Sequence, residues 1–86
     1  MSNSQLEQMS GAALVRSLLL RMAGAWQARG QTHQAIEAYS RLLIQYPGSA
    51  EAAMARAQLL SLARGFEQQG RFHLALGLYE KLEELE

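Results

Sequence analysis

Apolar residues recur every three or four positions through most of this chain, which is the spacing of one face of an α-helix. The clearest stripes are Leu14, Leu18, Met22 and Trp26, then Ala35, Tyr39, Leu42 and Tyr46, and finally Ala75, Tyr79 and Leu82. Good helix formers (Ala, Leu, Gln, Glu and Arg) dominate the sequence, whereas Val and Thr occur once each. The pattern therefore predicts an all-α protein without a sheet.

Turn and capping residues divide this pattern into four helices. Gly30 and Gly70 stand where a left-handed helix end is expected, and Pro47 cannot continue the helix before it. Ser49 is a plausible N-cap for the next helix, and Glu51 then lies in the first turn, where the helix dipole favours negative charge. The predicted helices cover about 10–29, 32–46, 50–69 and 72 to the end.

The chain also matches itself when it is shifted by 40 residues. Eleven residues recur in one gapless register: Ala12, Ala13, Arg16, Leu19, Leu20, Ala23, Gly30, His33, Ala35, Tyr39 and Leu42 fall on Ala52, Ala53, Arg56, Leu59, Leu60, Ala63, Gly70, His73, Ala75, Tyr79 and Leu82. Each copy consists of two predicted helices. An internal repeat of this kind is typical of helix hairpins that stack on one another.

These repeated residues resemble the tetratricopeptide repeat. The first copy has Leu19, Met22, Ala23, Trp26, Ala35, Tyr39 and Pro47 at the spacing of that family, and the second has Leu59, Leu62, Ala63, Phe66, Ala75 and Tyr79. The resemblance implies two antiparallel helix hairpins in a short right-handed α-solenoid, folded as one domain over 1–86. In such hairpins the paired alanines are small because the helix backbones approach closely, and the aromatic side chains fill the remaining space.

The sequence departs from the family pattern in three ways. The usual period is about 34 residues, and the six extra residues, 50–55, lengthen the third helix by more than a turn and a half. Two repeats, at about 10–47 and 49–86, are fewer than the three usually needed. Residues 1–9 are interpreted as an N-terminal extension or cap, because capping-box spacing there allows an earlier helix start or a short extra helix.

Composition and charge narrow the function classes. The formal net charge is zero, and without a basic stripe we expect no nucleic-acid partner. The sequence contains no Cys, which excludes disulfides and thiolate chemistry. Arg16 and Arg21 interrupt the first apolar stretch, so we expect neither a signal peptide nor membrane insertion. A cytoplasmic protein is the simplest interpretation.

Candidate catalytic chemistry is sparse. His33 and His73 are repeat-equivalent and follow the two turns, which favours a turn or packing role over a metal or base role. No Asp occurs, and no His or Glu stands at ligand spacing beside them. No Ser lies in a nucleophile elbow and no Gly series forms a phosphate loop. We therefore expect no enzyme activity, no catalytic or metal-binding residues and no cofactor.

The resemblance implies a partner-binding groove lined by the first helix of each hairpin. The corresponding residues are Leu20, Gly24, Gln27, Leu60, Arg64, Glu67 and Gln68, flanked by Ser17, Ala28 and Ala57. Relatives that clamp a C-terminal carboxylate carry Lys and Asn at these places, so an apolar or mixed groove is expected here instead. The alternative is that these are ordinary solvated or packed positions.

A second candidate surface is the outer side of the last helix. Leu74, Leu78 and Leu85 lie off its main apolar stripe, and an exposed apolar strip usually marks a contact. The alternative for Leu74 and Leu78 is burial against the third helix.

The leading hypothesis is a protein-binding adaptor or small accessory subunit that holds a peptide or helix of a partner. The alternative is a structural subunit or homo-oligomer that assembles through the repeat edges.

Overall fold

The computed structural model describes residues 10–85, which form four helices and no strand. They are α1 (Gly11–Ala28), α2 (Thr32–Gln45), α3 (Ala50–Gln68) and α4 (Phe72–Glu84). The all-α prediction is confirmed, and each predicted helix end lies within a residue or two of the observed one. The interpretation of residues 1–9 as an extension or cap lies outside the described residues.

Serine side chains cap the first helix of each hairpin. The Oγ atoms of Ser10 and Ser49 accept hydrogen bonds of 3.0 Å from the backbone amides of Ala13 and Ala52. Each bond satisfies one of the amides that a helix start leaves without an intrahelical partner. The prediction for Ser49 is therefore confirmed, and α1 begins directly after Ser10.

Both hairpins turn through the same glycine motif. Gly30 and Gly70 have φ angles of +78° and +77°, a region that other residues rarely adopt. The amide of Gln31 then donates to the carbonyl of Trp26 at 2.9 Å, and the amide of Arg71 donates to that of Phe66 at 2.8 Å. This is the Schellman closure of a helix end, formed twice in equivalent places.

The helices form an open stack. Within the described residues, α1 packs on α2, α2 on α3 and α3 on α4, and α1 also touches α3. The helix backbones of α1 and α4 do not meet, and neither do those of α2 and α4. The arrangement is therefore two stacked hairpins and not a closed four-helix bundle, in which the first and last helices would be neighbours.

Small residues lie where the helices come closest. Ala23, Ala35 and Ala63 are fully buried and Ala75 is 2% exposed. Around them, the largest fully buried side chains are Leu42 and Leu59. The expected role of the paired alanines is thus confirmed in both hairpins, since a longer side chain at these positions would meet the facing helix.

The extra residues of α3 add to the contact between the hairpins. Ala52 and Ala55 are buried, and so is Leu43 on α2. At the same end of the stack, Arg16 Nε donates to Glu51 Oε1 at 3.0 Å and joins α1 to α3. The longer period of this chain therefore lengthens the seam between its two repeats.

Candidate binding surfaces

The residues predicted for the groove form one stripe on each of the two neighbouring helices α1 and α3. The spacing of Leu20, Gly24 and Gln27 places them on one face of α1, and the same holds for their equivalents on α3. We call the whole set the A face: Leu20, Gly24, Gln27, Leu60, Arg64, Glu67 and Gln68. Its two leucines are half-buried against the core, whereas Gly24, Arg64, Glu67 and Gln68 are exposed.

Two tyrosines hold the polar groups of the A face in equivalent positions. Tyr39 Oη donates to Gln27 Oε1 at 2.7 Å, and Tyr79 Oη donates to Glu67 Oε1. Burial raises the pKa of Tyr39, and the hydrogen bond to the Glu67 carboxylate raises the pKa of Tyr79. Each phenol therefore stays a neutral donor that fixes the side chain across from it. The same bond occurs in both repeats even though the acceptor changes from an amide to a carboxylate.

The A face offers mixed chemistry to a ligand. Arg64 is close enough to Tyr79 for its charge to lower the pKa of that phenol, which opposes the larger effect of Glu67. A cation and a carboxylate thus stand near each other on α3, above the apolar surface of Leu60. Among the described residues, no group of His, Asp or Glu is arranged to hold a metal ion. Such a surface can form both hydrogen bonds and apolar contacts with a peptide.

The predicted strip on the last helix is not a continuous surface. Leu78 is 5% exposed and belongs to the core, and Leu85 is half-buried against it, whereas Leu74 is 45% exposed. Leu78 is therefore buried, which was the alternative interpretation of the sequence, and it is not accessible to a partner. The exposed apolar residues of α4 that the sequence interpretation missed are Phe72 and Leu76.

A separate depression is lined mainly by residues around α2 and α4, and none of the A-face residues contributes to it. It runs between the start of α2 and α4 and has a volume of about 660 Å³. We call it the B-helix groove. Its lining residues are Gly30, Gln31, Thr32, His33, Gln34, Ile36, Phe66, Arg71, His73, Leu74, Gly77, Leu78 and Lys81. The groove exists because the backbones of α2 and α4 stay apart while α3 lies beneath both of them.

A third apolar surface covers the outer side of α1. Leu14, Val15, Leu18 and Met22 are 38–49% exposed. The equivalent of Val15 in the second repeat is Ala55, which is fully buried by the first hairpin. This α1 surface is thus the face that would meet another hairpin if one preceded it.

No helix in the described part of the chain is long and apolar enough to cross a bilayer.

In the comparisons with known proteins, a family profile for the tetratricopeptide repeat matches residues 17–49, which cover most of the first hairpin. The searches of curated proteins and of solved structures gave no match. The matched segment includes Leu20, Gly24 and Gln27 of the A face.

Proposed function

We propose that this chain, whose first hairpin matches the tetratricopeptide-repeat profile over residues 17–49, is a non-catalytic adaptor or small accessory subunit that holds a peptide or helix of a partner protein. Repeats of this family generally mediate contacts between proteins. The proposed contact surface is the A face. The observation that supports it most is the pair of equivalent tyrosine bonds, which orders the side chains of Gln27 and Glu67 at the surface.

Ordered polar groups favour binding because less conformational entropy is lost when the partner arrives. On the A face, the hydroxyl groups of Tyr39 and Tyr79 hold the acceptor side chains Gln27 and Glu67 in place. Leu20 and Leu60 form an apolar floor that is already partly shielded from water. Gly24 leaves the surface of α1 open, since nothing lies within 4 Å of a Cβ added there. An extended or helical segment can therefore approach the backbone of α1 closely.

The experiment is a comparison of captured partners between variants of the full chain. Immobilised wild-type protein is exposed to an extract of the native cell, and bound proteins are quantified by mass spectrometry. Arg64→Glu and Gly24→Arg should deplete the same captured protein, because one reverses a charge and the other fills the open part of the A face. Arg41→Glu on α2 is the matched control and should leave the captured protein unchanged. Equal depletion in all three variants would exclude the A face as the contact.

The second candidate function is a structural subunit that assembles through its repeat edges. Its support is the apolar α1 surface of Leu14, Val15, Leu18 and Met22. Light scattering after size exclusion distinguishes the two functions. Leu18→Glu should dissociate an oligomer that uses this surface, whereas Met54→Glu, at a somewhat more exposed apolar residue on α3, should not. A monomer at all concentrations would reject assembly by self-association.

A further inference from the structure

The B-helix groove combines an apolar floor with a basic rim. Ile36, Phe66 and Leu78 lie in it from three different helices, and Leu74 forms one wall. Because the floor residues are largely buried while the groove above them is open, an apolar side chain entering it would lose contact with water and gain contact with three helices. The volume of about 660 Å³ is within the usual range for small binding pockets, roughly 300–1,000 Å³.

The charges around this groove have one sign. Arg71 and Lys81 lie at its two ends along α4, and none of the lining residues, all of them within the described part of the chain, is acidic. Arg71 is held in place, since its guanidinium lies 5.3 Å from the centre of the Phe66 ring. Lys81 also borders a smaller depression whose lining includes Glu37, whereas Arg71 lines the B-helix groove and not that depression.

The first repeat contains the same surface in a different chemical form. Its equivalent depression has a volume of about 440 Å³ and is lined by Gln34 and Glu37. In the B-helix groove, Leu74 and Gly77 stand at these two positions. The second repeat has therefore exchanged a polar wall for an apolar one and has lost a carboxylate, while the basic residue at the far end is kept as Lys81 in place of Arg41. These exchanges leave two cations and no carboxylate along the B-helix groove, so it is more positive than its counterpart.

From this geometry we propose that the B-helix groove is a second binding site, distinct from the A face, for an acidic peptide segment that carries a bulky apolar anchor. The anchor side chain packs against the exposed Leu74 and the half-buried Ile36, above the buried floor of Phe66 and Leu78. Carboxylates on either side of the anchor pair with Arg71 and Lys81. Charge complementarity selects this occupant over a basic peptide, which would meet two cations without a counterion.

The test uses a defined probe on the full chain. A fluorescein-labelled peptide, acetyl-Glu-Glu-Leu-Phe-Glu-Glu-amide, is titrated with the protein and its fluorescence anisotropy is followed at low salt. We expect saturable binding that weakens when salt is raised. Two further peptides, one with Lys for each Glu and one with Ser for Leu and Phe, should each bind at least tenfold more weakly. Equal binding of the Lys peptide would overturn the charge assignment, and the absence of saturation up to millimolar protein would overturn the site.

Matched variants locate the bound probe. Leu74→Glu should weaken binding at least tenfold, whereas Leu76→Glu, on the same helix but outside the groove, should stay within twofold of wild type. Gly77→Leu fills the groove, and because nothing lies within 4 Å of a Cβ at Gly77, it is expected to fold normally and still lose the probe. If Leu76→Glu lowers affinity as much as Leu74→Glu, or if Gly77→Leu binds like wild type, the proposed site is wrong. Loss with Arg64→Glu instead would place the probe on the A face and reject the second site.

Discussion

The stacking of the two hairpins predicts that equivalent leucines contribute unequally to stability. Leu59 on α3 is fully buried, because the first hairpin covers it from one side and α4 from the other. Its equivalent, Leu19 on α1, is half-buried, since no hairpin covers the outer side of α1 within the described residues. Truncation of each leucine to Ala therefore removes the same atoms from two different environments.

The expected losses can be worked from burial. A fully buried Leu→Ala change costs about 3–5 kcal/mol, which includes the cavity that remains. At Leu19 the transfer contribution is roughly halved and the site opens to solvent, so the expected cost is about 1–2 kcal/mol. A domain of this size has a total stability of about 4–13 kcal/mol. Leu59→Ala thus removes a large share of the free energy of unfolding, and the fall in Tm should be roughly 15–30 °C.

The assay is urea and thermal unfolding of both variants, followed by far-ultraviolet circular dichroism at matched protein concentrations. Concentration matters because self-association through the α1 surface would raise the apparent stability. Leu59→Ala should lose at least about 1 kcal/mol more than Leu19→Ala, which is the difference between the lower limit of about 3 kcal/mol at Leu59 and the upper limit of about 2 kcal/mol at Leu19. Equal losses, or a larger loss at Leu19, would mean that the two hairpins do not stack as described.

Three further predictions concern the helix ends and the seam between repeats. Gly24→Ala should stabilise the fold by about 0.5–1 kcal/mol, because Gly is a poor helix former and the added Cβ meets no atom. Gly30→Ala should instead destabilise the fold by about 1–2 kcal/mol, because Gly30 has a positive φ. Thermal unfolding of both variants should therefore show a rise in Tm for the first and a fall for the second. Ser49→Ala removes the cap of α3 and should cost about 1 kcal/mol in urea unfolding. A hydrogen bond from its own backbone and the nearby Arg16 lower the pKa of Glu51. The stabilisation by the Glu51 carboxylate is therefore complete above the ordinary pKa of 4.5, and it is lost as the pH falls through the lowered pKa. Glu51→Gln should abolish that part of the acid destabilisation, and an unchanged pH profile would contradict the assignment.

The helix boundaries could be predicted because local residues determine them. Ser49 caps a helix through its own side chain, and Gly30 and Gly70 adopt a backbone conformation that other residues avoid. The paired alanines were predictable for a related reason, since the repeat places a small residue at the same step twice. These signals depend on a few neighbouring residues and do not require knowledge of the packing.

The degree of burial could not be predicted in the same way. Trp26 and Phe66 are equivalent in sequence, yet Phe66 is buried and Trp26 is half-buried. The difference arises because Phe66 has the first hairpin beside it, whereas within residues 10–85 no hairpin lies beside Trp26 on the outer side of α1. For the same reason Leu78 was open to two interpretations, and the direction of its side chain toward the core decided between them.

The B-helix groove was missed because it depends on the distance between two helices that are not consecutive in the chain. A hint was present in the repeat alignment. Gln34 and Glu37 change to Leu74 and Gly77 at two positions of one helix face, and this change removes a carboxamide and a carboxylate from that face in the second repeat. Comparison of the two copies position by position would have drawn attention to it.

The order of contacts between the helices is the basis of every surface described above, and a methyl NOESY spectrum of the labelled chain measures it directly. The open stack predicts cross-peaks within each hairpin and between α2 and α3, for example around Leu43 and Ala52, and none between α1 and α4. Cross-peaks between α1 and α4 would indicate a closed bundle in which the A face and the B-helix groove do not exist in the form described.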